Sequence, residues 1–92
     1  MDIFSQAAKH IVEEQASIIG PLAVEQAKKV AGLHIDLAKS EVSIDGDKTA
    51  VLESLVSQYE KLFGRASVQV CKQAASEFLT QIPADQVPAA LR

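Results

Sequence analysis

The residues able to do chemistry are few, and their spacing is the first thing to weigh. His10 and Glu14 stand four apart, so on a helix they share a face. His34 and Asp36 stand two apart, so on a strand they share a face too. Either pair supplies two ligands, and a tight transition-metal site needs three or four. Solvated surface therefore accounts for both pairs better than a metal does. Asp45-Gly46-Asp47 has the start of a calcium loop but lacks the rest of the twelve-residue ligand pattern, so it reads as a turn. Cys71 is the sole thiol. It lies on an apolar stripe with Val68, Ala75 and Phe78, and neither histidine is placed to activate it. A buried, structural cysteine is expected. Glu13 and Glu14 are adjacent and point apart on a helix. The glycines stand alone at 20, 32, 46 and 64, so no glycine-rich loop cradles a phosphate. No acid–base or nucleophile set converges, and an enzyme is not expected. No cofactor is implied.

Charge and composition narrow the classes further. Twelve acids against nine bases give a net charge of −3, a poor start for tracking nucleic-acid phosphates. Lys28 and Lys29, with Lys72 and, by extension, Lys61 and Arg65, form a candidate basic patch for an acidic partner or a membrane surface, although with so few charges on a net negative chain a solvated helix face accounts for them better. Apolar residues are 48% and charged residues 23% of the 92, which are ordinary globular values. No apolar run is long enough to span a bilayer. Asp2, Lys9 and His10 interrupt any signal-peptide pattern, and one cysteine forms no internal disulfide. A cytoplasmic setting is the expectation.

The elements that must position these residues follow from periodicity. Ile3, Phe4, Ala7, Ala8, Ile11, Val12, Ile18 and Ile19 form one helix face behind an Asp2 cap. Gly20-Pro21 breaks it, and Leu22, Val24, Ala27, Val30 and Ala31 define a second helix. The period then falls to two. Leu33, Ile35 and Leu37, then Val42 and Ile44, alternate with polar residues around Ala38-Lys39-Ser40. That predicts a β-hairpin with one apolar face. Asp47 caps a third helix bearing Val51, Leu52, Leu55, Val56, Tyr59, Leu62 and Phe63. Gly64 breaks it, and a fourth helix runs from about Arg65 to Gln81, stopped by Pro83. The tail holds at most one turn, from Asp85, with a frayed end.

The expectation is thus an α+β chain, mostly α, in a single domain over residues 1–92. It comprises a helix pair at 3–31, a hairpin at 33–45, a helix pair at 47–82 and a tail at 83–92. A shift of 44 residues overlays Ile11–Ala31 on Leu55–Ala75, matching Val12 with Val56, Gly20 with Gly64, Val24 with Val68, Lys28 with Lys72 and Ala31 with Ala75. Both copies place two bulky apolar residues before a glycine and a small-residue helix after it.

The run Tyr59-Glu60-Lys61-Leu62-Phe63-Gly64-Arg65-Ala66, with Val70, Ala74 and Ile82-Pro83, resembles a small α-helical module found at the C-termini of bacterial signalling proteins, some serine/threonine kinases among them. Ile18-Ile19-Gly20-Pro21-Leu22-Ala23 is similar to the Gly-Pro form of the same pattern, from which the second copy departs at Arg65. The resemblance covers about two-thirds of the chain and leaves out the hairpin. It implies an interaction or regulatory role and no catalytic residues.

The reading is a non-catalytic interaction or assembly module, with Gly20, Pro21, Gly64 and Cys71 as structural positions. The alternative is a small-ligand or metal-binding regulator using His34, Asp36 or the cleft between helix pairs. A hairpin with two open edges and an apolar face needs a cover, so a homodimer is expected. Val42 and Ile44 are then candidate interface residues, with hairpin edges or helix faces as the two ways to pair.

Overall fold

A computed structural model describes all residues from Met1 to Arg92. Four helices and a two-stranded antiparallel hairpin make up a mostly helical α+β fold: α1 Ile3–Ile19, α2 Leu22–Ala27, β1 Leu33–Asp36, β2 Glu41–Ile44, α3 Lys48–Phe63 and α4 Arg65–Leu79. No helix is long and apolar enough to cross a membrane.

The Asp2 carboxylate caps α1. It accepts from the Ser5 backbone N–H at 3.0 Å and from the Ser5 hydroxyl at 2.9 Å. Lys48 Nζ lies 3.3 Å from the same carboxylate and ties the start of α3 to the start of α1. Asp47 caps α3 in the same manner, accepting from Ala50 N at 3.1 Å. Gly20 and Gly64 end α1 and α3 at φ +72° and +82°, a region L side chains avoid. Each donates its N–H to the carbonyl four residues back, Ala16 and Glu60 respectively. Each then accepts from the residue three ahead, Ala23 and Ser67. The two corners share these backbone bonds, and the second adds one from the Ser67 hydroxyl to Gly64 O at 2.7 Å.

The second helix is shorter than the periodicity predicts. It ends at Ala27 because Lys29 and Val30 bond back only three residues, which tightens the turn and carries Val30 into the core. Ala31 is exposed. Gly32 follows at φ +86°, and a Cβ there would sit 2.7 Å from the Asp45 carbonyl oxygen. The Gly32 carbonyl accepts from Asp45 N at 2.8 Å, closing the base of the hairpin.

The hairpin pairs Leu33 with Ile44 and Ile35 with Val42 on its buried face. Leu37 does not continue β1. Asp36 accepts from Lys39 N at 3.3 Å, and Leu37–Lys39 winds into one turn of 3₁₀ helix. Ser40, left-handed at φ +53°, completes the connection.

One core of twenty buried residues draws on every helix and both strands. α1 packs chiefly against α4, and β2 lies on α1. α1 and α4 run antiparallel, as Gln15 meets Ser67 while His10 meets Ala74. α4 tapers past Leu79 through the bonds Gln81 N to Phe78 O and Ile82 N to Leu79 O, short of the expected end at Gln81.

The tail corrects its expectation. It forms two 3₁₀ turns, Ala84–Gln86 and Ala89–Leu91, and does not end loose. Leu91 and Pro88 are buried, Ala90 N donates to Glu53 Oε2 at 3.1 Å, and the Thr49 hydroxyl donates to Gln86 O at 2.7 Å. Contacts with α3, far away in sequence, hold it.

Candidate interaction surface

The side chains singled out for chemistry are mostly engaged in holding the fold. His10 bridges α1 and α4. Its Nδ1 is 2.6 Å from the Ala74 carbonyl and so carries the proton, and its ring meets Phe78 edge-on at 5.6 Å. Glu14 and Glu77 approach the ring at 3.9 and 3.5 Å. His34 pairs with Asp45 at 2.6 Å, while Asp36, its expected partner, caps the turn after β1. Nowhere do three His, Cys, Asp or Glu side chains come together as a metal would need.

Cys71 is fully buried, and burial pushes its thiol pKa up. Gln15 Nε2 donates to its Sγ at 3.3 Å and to the Ser67 carbonyl at 2.9 Å. Tyr59, also fully buried, donates its hydroxyl to the Ala23 carbonyl at 2.7 Å, and burial first, then Cys71, pushes its pKa far up.

Those two buried bonds are equivalent under the 44-residue shift, which carries Gln15 to Tyr59 and Ala23 to Ser67. Each copy's first helix reaches across to the other copy's second helix. Such reciprocity is the mark of a two-fold arrangement, here inside one chain. It brings the Gly20 and Gly64 corners to the same end of the molecule. The sequence signal was the repeat itself; the crossing of the bonds could not be read from it, because Gln and Tyr share no obvious role.

Apart from the terminal Met1, that end is where large apolar side chains are left uncovered. Ile18 is 63% exposed, Leu62 47% and Leu22 39%. Ile18 and Leu62 are equivalent in the repeat. Each lies seven residues, about two turns, beyond a fully buried residue on the same line, Ile11 and Leu55 respectively. Both therefore continue a core stripe past the point where the core stops. Periodicity alone puts both in the core for that reason. Ile19 and Phe63, one residue on, turn inward and pack against it.

The charges at this end are divided. Beside Ile18 and Leu22 stand Glu14, one turn before Ile18, and Glu25, one turn after Leu22. Beside Leu62 stand Lys61 and Arg65. Glu13 and Glu60 point away, about 140° and 160° round their helices from Ile18 and Leu62. All four flanking charges are exposed, and Glu25, Lys61 and Arg65 have no ion-pair partner within 4 Å.

The other candidate surfaces change on inspection. Val42 and Ile44 are 7% and 8% exposed, covered by the chain's own helices, and so are not available as an interface in the folded monomer. The need for a second copy to cover the hairpin face disappears with them. Lys28 and Lys29 are exposed but lie in the turn beyond α2, off the helix face expected for them, and Lys72 is half-buried on α4.

Comparison with protein-family models, with curated proteins and with solved structures finds no match.

Proposed function

We propose that this chain is a non-catalytic protein-interaction or assembly module acting in bacterial signalling or regulation, in the cytoplasm. The observation that carries the reading is the uncovered apolar end formed by Ile18, Leu22 and Leu62. A chain of this size has little interior to spare, and large aliphatic side chains aligned with the core but left in water suit a surface meant to be covered. The remaining chemistry-bearing groups support it. His10, Cys71 and Tyr59 each spend their polar atoms on contacts between helices. The regulatory setting is supported by the resemblance of Ile18–Ala23, and less closely of Tyr59–Ala66, to the module of bacterial signalling proteins.

Native mass spectrometry of protein drawn gently from the cells that make it tests this reading. A protein-only assembly, with itself or with another chain, is the expected result. A stoichiometric metal or small molecule, or a bare monomer throughout, overturns it.

A further inference from the structure

We propose that the tail fills, from within the chain, a peptide-binding seat on α3 and α4. The seat takes a segment of a partner protein bearing proline and, three residues on, a large aliphatic side chain. It lies at the start of α3, whereas Leu62 and the uncovered end lie at its other end. The tail shows what the seat recognises. Pro88 and Leu91 are buried, while Ala89 is exposed. The 3₁₀ turn Ala89–Leu91 has three residues per turn, so the two buried side chains fall on one side of it. That turn lies against both α3 and α4. Thr49 and Glu53 stand one turn apart on α3 and grip the tail backbone. The Thr49 hydroxyl donates to the Gln86 carbonyl, and the Glu53 carboxylate accepts the Ala90 N–H.

Three features suit this seat to recognition. Both gripping bonds go to main-chain groups, which any peptide supplies, so selectivity rests on the two side chains three apart. Glu53 is half-buried, has no cation within 4 Å, and spends its carboxylate on that one N–H. The tail, finally, is self-contained. Its backbone bonds close within residues 83–92, and the Arg92 guanidinium bonds back to the Val87 and Ala84 carbonyls at 3.2 and 3.5 Å. Only the Thr49 and Glu53 bonds join it to the rest of the molecule. A segment tied by two bonds and two apolar side chains opens locally while the helices stay folded. Pro88 stands at φ −57° and ψ 138°, a conformation proline holds before binding, so a partner segment of this kind loses little freedom on seating.

A fluorescent peptide of residues 83–92, titrated into full-length chains and read by anisotropy, tests the proposal. The wild-type seat is already filled, so weak binding is expected there. Leu91→Ala loosens the chain's own tail and leaves the seat intact. The peptide should bind that chain at least about tenfold more tightly than the wild type, because the open fraction rises. Adding Thr49→Val and Glu53→Leu to the loosened chain should weaken binding again by about tenfold, as both grips are lost. In the peptide, Asp85→Ser, Gln86→Ser and Ala89→Ser alter exposed positions and should leave binding unchanged, while Leu91→Ala should abolish it. Circular dichroism checks that each chain keeps its helices; if Leu91→Ala does not, Pro88→Ala loosens the tail in its place. Equal binding to the wild-type and loosened chains, or binding to neither, overturns the proposal and makes the tail a plain part of the core. The reading of the uncovered apolar end is separate from this seat and stands if it falls.

Discussion

At the scale of single residues, the four glycines look alike in sequence and differ in what they must satisfy. At Gly20 and Gly64 a Cβ would meet nothing within 4 Å, so only the positive φ opposes a side chain. Gly20→Ala and Gly64→Ala should each destabilise by about 1–2 kcal/mol. Gly32 carries the same conformational demand, and a Cβ there would also strike the Asp45 carbonyl at 2.7 Å and Val51 Cγ2 at 3.0 Å. Gly32→Ala should therefore cost more than either corner variant, about 3 kcal/mol or above, as backbone must move. Urea unfolding of the three variants gives the order, and a Gly32→Ala no worse than Gly64→Ala would contradict the close approach. Cys71 offers a second check. Its thiol is buried and held back from ionising, so thiol reagents should label it no faster than the protein opens. Rapid labelling of the native protein would place it near the surface.

At the scale of elements, what the sequence disclosed is what repeats at short range. The stripes of α1, α3 and α4 and the alternation of Leu33, Ile35, Val42 and Ile44 were legible because each is a local period facing a single core. Leu37 was not legible as a turn residue, because a lone capping bond from Asp36 outweighs one more alternating aliphatic. The tail carried no period at all. Leu91 sits among Pro and Ala, and its docking depends on Glu53 and Thr49. Leu91→Ala should cost about 2–3 kcal/mol in thermal or urea unfolding, where a frayed end would cost almost nothing. The cap of α1 predicts a pH dependence. Burial alone would raise the Asp2 pKa, but the bonds from Ser5 and the neighbouring Lys48 outweigh it and hold the carboxyl below its ordinary value. A lowered folded pKa means the stabilisation is present above the unfolded pKa and is lost as pH falls through the folded one. The stability gap between wild type and Asp2→Asn should accordingly narrow on acidification, measured by urea midpoints across the acid range. A gap that widens would contradict the assignment.

For the whole molecule, the hairpin belongs to the interior. Its apolar face is closed over α1, and this changes what a charge there would do. Val42→Asp or Ile44→Asp buries a carboxylate without a partner, so the chain should lose its cooperative melt outright, by several kcal/mol. Separation of a dimer into well-folded monomers by either substitution would mean the face is shared between copies. The uncovered apolar end was hidden from the sequence for the converse reason. Ile18 and Leu62 obey the same period as Ile11 and Leu55, and a period says which side of a helix is apolar without saying where the covering helices stop.

The crossed bonds from Gln15 to Ser67 and from Tyr59 to Ala23 have a consequence for how the chain holds itself closed. Neither half completes its own interior; each is finished by the other. Two chains that exchanged halves would make the same bonds between them as each makes alone, so contact energy does not decide between the closed form and the exchanged one. The connector from Lys28 to Asp47 decides it. Folded as a hairpin with Leu33, Ile35, Val42 and Ile44 in the core, it keeps each half beside its own mate, so the halves find each other within one chain. A connector unable to fold back between the halves would convert the protein into an interlocked pair.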